Sequence, residues 1–74
     1  MKAFSRLHQD LATANRHIAE SQARIAQQAR LVSKLAADGY KTTNAQNLLR
    51  LLQRNLVVLE KQRQRIMGEL ARSR

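Results

Sequence analysis

Apolar residues return along the first half of this chain at a fixed interval. Phe4, Leu11, Ile18, Ile25 and Val32 stand seven apart, and Leu7, Ala14, Ser21, Gln28 and Leu35 follow each by three. This three-and-four alternation is the seam of a helix that packs on another helix. It is large at one position and small or polar in the middle of the other. Ala, Gln and Arg are frequent and neither Pro nor Gly interrupts the run. A helix is therefore expected over about 5–38, with Ser5 as N-cap and Met1 to Phe4 frayed. A second seam follows, in which Ala45, Leu49, Leu52, Leu56, Leu59, Arg63, Ile66 and Leu70 alternate by four and three. It predicts a helix over about 43–71. Arg63 is its one charged member, expected to lay its stem on the core and send its head into water, toward Glu20. Gly68 weakens the last turns by about 1 kcal/mol relative to Ala, so fraying toward Arg74 is expected.

Between the seams lies Asp38-Gly39-Tyr40-Lys41-Thr42-Thr43. Gly39 reaches the left-handed conformation at little steric cost. It should end the first helix as the C′ residue of a Schellman motif, with Leu35 and Tyr40 at its contact positions. Thr42 or Thr43 caps the second helix, and Thr43 with Gln46 has the spacing of a capping box. So short a connection, residues 39–42, leaves an antiparallel return. Counting outward from it places Leu49 near Val32, Leu56 near Ile25, Arg63 near Ile18 and Leu70 near Leu11. The expected architecture is one all-α domain over 1–74, two long helices in an antiparallel hairpin. The segment from Leu35 to Leu49 also looks like the helix-turn-helix of DNA-binding regulators. Such a unit needs a third helix to cover its inner face, and the periodicity of the whole chain outweighs that local likeness.

The second helix carries more apolar surface than one partner can cover. Leu48, Leu51, Val57 and Val58 lie at the rim of its seam or outside it, widening the apolar arc to about half the circumference. Two helices alone bury too little for a domain of this size. Two hairpins are therefore expected to pair as a homodimer into a four-helix bundle, with Leu48, Leu51, Val58 and Met67 at the join.

Charge adds a second theme. Fourteen Lys and Arg against five Asp and Glu give a net charge of +9. Residues 1–38 carry six basic and three acidic residues, and residues 39–74 eight and two. Such an excess favours nucleic acid, an anionic membrane or an acidic protein. Arg50, Arg54, Lys61, Arg65 and Arg72 fall within an arc of roughly 60° opposite the Leu52–Leu59 stripe and rise over about 33 Å. A ridge of that length can track phosphates, and Arg6, Arg16, Arg24, Arg30 and Lys34 offer a looser counterpart. The plain alternative is that any amphipathic helix needs a solvated face. With Phe4 and Tyr40 the only aromatics, no stacking platform for single strands exists and binding would be weakly sequence-specific.

Other chemistry is sparse. There is no cysteine, so disulfides and thiolate sites are excluded and a reducing compartment fits. His8 and His17 stand on opposite sides of one helix and cannot share an ion. No His-Glu-x-x-His motif, acidic cluster or Gly-rich phosphate loop occurs, and Ser5, Ser21, Ser33 and Ser73 lack an evident base. The expectation is a protein that is not an enzyme and uses no cofactor, metal or small-molecule substrate. No stretch between charged residues exceeds the eight positions from Thr42 to Leu49, against about twenty for a membrane span. The opening residues lack the apolar run of a secretory signal, so a cytoplasmic location is expected. A membrane-surface role has less support, since the apolar face holds no Trp and one Phe and packing accounts for it.

From about His8 to Leu70 the chain resembles a set of small uncharacterised bacterial helical-hairpin proteins. The resemblance is carried by Arg16-His17-Ile18-Ala19-Glu20, Arg24-Ile25, Gln28, Leu31-Val32, Leu35, Asp38-Gly39, Thr42, Ala45, Leu48-Leu49 and Leu52, then by Arg63, Ile66 and Glu69-Leu70. Lys41 departs from it, where an acidic residue usually precedes the threonine. What the resemblance implies is a coiled-coil-like hairpin with no assigned activity and no site residues. Two functions remain open: a self-associating interaction or structural module, and non-specific binding of nucleic acid by the basic outer faces.

Overall fold

A computed structural model describes residues 2–73, with side chains from Phe4 onward. Two helices, α1 (Lys2–Ala37) and α2 (Thr43–Arg72), account for nearly all of them, with no strand among the described residues. They pack side by side into a rod of 57 × 14 × 13 Å. Two cross-helix hydrogen bonds fix their sense. The Gln28 amide donates to the Ala45 carbonyl at 2.9 Å, close to the turn, and Arg63 Nη1 donates to Asn15 Oδ1 at 3.4 Å, far from it. The pairing is antiparallel, as the short connection requires.

The turn is a Schellman motif. Tyr40 N–H donates to the Leu35 carbonyl at 2.9 Å and Gly39 N–H to that of Ala36 at 3.1 Å, so two carbonyls left over at the helix end find partners. Gly39 has φ +80°, the left-handed conformation that only glycine adopts without penalty. The helix ends at Ala37, one residue before the expected Asp38.

The other boundaries depart from expectation for local reasons. α1 begins at Lys2, so Ser5 lies inside the helix and is not its N-cap. Phe4 stacks edge-on against His8 one turn later, with ring centroids 4.5 Å apart. That contact supports a helical first turn, and an exposed serine opposes it by only a fraction of a kcal/mol, about 0.5. Of the segment expected to fray at this end, Met1 lies outside the described residues, as does Arg74 at the other. Thr43 is the first residue of α2, so the Thr43–Gln46 capping box does not form. Thr42 is the N-cap but makes no side-chain cap bond. Its ψ of 3° departs from the extended backbone that aims a capping oxygen at the helix start. α2 continues through Gly68 to Arg72, and Ser73 closes it by donating its hydroxyl to the Glu69 carbonyl at 2.8 Å.

Burial follows the predicted seams. Shielded positions run from Leu7 to Leu35 on α1 and from Thr42 to Leu70 on α2, both stepping outward from the turn by three and four in phase. Phe4, counted in the seam by its spacing, is 40% exposed. Matched rung for rung, these rows set Leu49 level with Gln28, one step from the expected Val32. The same register sets Leu70 level with Leu7, one step from the expected Leu11, although Leu70 and Leu11 still line one groove.

Arg63 also departs from expectation. It sits half-buried on the rung of Ala14 and reaches Asn15, while Glu20 pairs with Arg16 at 3.9 Å within α1. Glu20 borders a groove with His17 and Arg24, on the flank of the hairpin away from Asn15. The core between the helices is thin. Ile18, 4% exposed, is the only buried hydrophobic side chain among the described residues, and the equally buried Ser21 has no hydrogen-bond partner for its Oγ.

Candidate interaction surface

Each helix turns one row of residues to either side of the seam. On the first flank, His17, Glu20, Ser21 and Arg24 of α1 share a groove with Asn55 and Leu59 of α2. Leu31 continues the row of His17 and Arg24 by a further seven residues, and Leu48 precedes Asn55 by seven. Leu31 and Leu48 therefore stand on this flank near the turn. Leu51 and Val58 extend it one step further out on α2. These four side chains are 44–59% exposed and stand on one flank outside the seam.

The second flank differs. Here Phe4, His8 and Leu11 of α1 and Met67, Leu70 and Ala71 of α2 enclose a groove of about 410 Å³ at the open end. Met67 thus does not join Leu48, Leu51 and Val58. It lies across the seam from them and about 28 Å from Leu48 along the axis. Val57, also exposed, lies on the outer face beyond this second flank. Leu31 is the member of the first patch that reading α2 alone misses. Its signal was present, since it precedes Val32 as Leu48 precedes Leu49.

Arg50, Arg54, Lys61, Arg65 and Arg72 are all exposed. Arg50 donates to Asn47 Oδ1 at 2.6 Å, and Arg50 and Arg54 border a shallow depression with Asn47 and Leu51. Among the described residues the one ion pair is Arg16–Glu20, so no ridge cation is neutralised by a carboxylate. His8 packs on Phe4 and His17 borders the other flank's groove, so the two imidazoles face different surroundings. No group of three or more His, Asp or Glu is placed to hold a metal ion among the described residues. Neither helix is long and apolar enough to cross a membrane.

No family model, curated protein or solved structure matches the chain. Many of the residues on which the expected resemblance to bacterial helical hairpins rests fall in two places. Ile18, Ile25, Gln28, Val32, Leu35, Leu49, Leu52 and Ile66 are seam positions, while Asp38, Gly39 and Thr42 are in or beside the turn.

Proposed function

We propose that this hairpin is a non-enzymatic interaction module that completes its core by pairing with a second copy into a four-helix bundle. Leu48, Leu51 and Val58 of α2 supply the join, with Leu31 of α1 beside them. The carrying observation is surface left uncovered. The chain exposes 5923 Å², whereas a compact monomer of this mass exposes about 4,650 Å². Part of that difference, about 1,300 Å², belongs to the rod shape of the hairpin, and its apolar share gathers at Leu31, Leu48, Leu51 and Val58, 44–59% exposed on one flank. Sedimentation equilibrium at micromolar concentration tests this. The expected species has twice the 8.5 kDa chain mass, and Leu51→Ser with Val58→Ser shifts it to monomer by about tenfold or more in Kd. A parent that sediments as a helical monomer overturns the proposal.

A second reading rests on a separate observation, the row of exposed cations with no carboxylate beside them. In that reading the ridge from Arg50 to Arg72 binds nucleic acid along its phosphates, without sequence preference. Binding to duplex DNA and RNA should then fall steeply as salt rises. Changing Arg50, Arg54, Lys61 and Arg65 to Gln should abolish it. Absence of binding at low salt overturns this reading and leaves the first untouched.

A further inference from the structure

The outer strip of α2 on the first flank changes character midway. Leu48, Leu51 and Val58 occupy the part nearer the turn, while Arg65, Glu69 and Arg72 continue the same alternation toward the open end. α1 mirrors the change. Leu31 stands beside the turn, whereas Asp10 and Arg6, in the rows of His17 and Glu20, stand near the open end. All the exposed aliphatic side chains of this flank thus lie in its turn-proximal half, with Arg24 and Lys34 of α1 beside them, while the open half holds only polar and charged ones.

We infer that two copies join patch to patch over the turn-proximal half alone, with Leu51 facing its counterpart across the two-fold axis, and that the charged open halves stand apart. This rests on the self-association proposed above and assigns its geometry. An isologous contact presents one patch to itself, and the residue nearest the axis meets its own copy. Pairing along the full rod gains no apolar contact beyond that half and sets a surplus of cations together in either sense. With the turns at the same end, Arg6, Arg65 and Arg72 of one copy lie level with the same residues of the other. With the turns at opposite ends, those arginines press on Leu31 and Leu48. In the open half the three arginines outnumber the carboxylates Asp10 and Glu69 and no aliphatic side chain of this flank is buried, so contact there adds little to the join.

Two consequences follow from a half-length join in a chain of charge +9. Its area falls toward the small interfaces of transient complexes, so association is micromolar and not nanomolar. Added salt tightens it, because screening weakens repulsion between copies. Neutralising Arg65 and Arg72 with Gln tightens it more at low salt than neutralising Arg30 and Lys61, which lie on the outer faces of the rod.

The absence of cysteine makes each introduced thiol unique. Leu51→Cys, Arg72→Cys and Met67→Cys are oxidised mildly in separate samples at equal helicity, and covalent dimer is followed with time. Leu51→Cys should link at least about tenfold faster than the other two, because the join holds its thiols at high effective concentration. Val58→Cys serves as the second probe of the patch. An Arg72→Cys rate equal to that of Leu51→Cys means that the copies zip along their length and overturns the inference. A faster Met67→Cys means that the other flank pairs, which also overturns it. Slow linkage of both Leu51→Cys and Val58→Cys, in a parent that sediments as a dimer, overturns the geometry while self-association stands. A monomeric parent overturns both.

Discussion

The two helices share one seam and are built differently outside it. Among the described residues α1 supplies the only buried aliphatic, Ile18, and the buried Ser21, while no residue of α2 is buried although α2 is the richer in leucine. Around its seam α1 places small residues, with Ser5, Ala12, Ala19, Ala26 and Ser33 repeating every seven positions. α2 places Leu48, Leu51, Val57 and Val58 there. The difference teaches that α1, Phe4 and Leu31 apart, places its large apolar residues inside the hairpin, whereas α2 holds apolar surface in excess of what α1 can cover.

Substitutions that act on one helix at a time put this asymmetry at risk. The largest effect is expected from Ile18→Ala, which should lower unfolding stability by about 2–4 kcal/mol. Leu59→Ala, half-buried on the same rung of α2, should cost less, about 1–2 kcal/mol. Urea denaturation compares them, and equal costs would erase the distinction between the helices. Gly39→Val acts on the link between them. A Cβ there meets no atom within 4 Å, so the cost is that of a positive φ for a branched residue, about 1–2 kcal/mol. Equal melting temperatures for variant and parent would show that the helices pair without needing this turn.

Two smaller changes should stabilise. Ser21→Ala removes a buried hydroxyl that has no partner, and a gain of about 1 kcal/mol is expected. A loss would reveal that the hydroxyl is bonded in solution. The smallest effect belongs to Gly68→Ala, worth up to about 1 kcal/mol in helix propensity. The added methyl meets only Arg72 Nη1, at an ordinary 3.6 Å. A rise in helicity by circular dichroism checks it, and no rise would mean that the last turns of α2 are already fully formed.

The seam was legible because its repeat is long. Eighteen positions in three-and-four alternation, from Leu7 to Leu35 and from Thr42 to Leu70, leave one helical phase that shields them all. Gly39 was legible for a different reason, since few other residues tolerate its backbone angle. Boundaries were less so. Cap energies are about 1 kcal/mol, and one local contact such as Phe4 on His8 shifts a helix start by a turn. Arg63 reaches Asn15 and not the expected Glu20 because a long side chain is limited by flank as well as by level. Met67 was grouped with Leu48 on hydrophobicity, although wheel position separates them. For the candidate surface, the apolar residues of α2 were visible in the sequence, but Leu31 required knowing which rows the hairpin brings to one side.

The tight turn also orders the assembly of the molecule in time. Leu35 with Thr42 closes the shortest loop, and each rung outward closes a longer one until Leu7 meets Leu70. Loop entropy rises by about 0.6 kcal/mol per doubling of length, and contacts local in sequence form fastest. The hairpin therefore zips from its closed end. Leu31, Leu48 and Leu51 belong to the first rungs to form, and the groove of Phe4 and Met67 to the last. The apolar surface proposed to meet a second copy thus exists while the far ends of the same chain are still apart, so under that proposal encounter between chains and completion of the fold overlap.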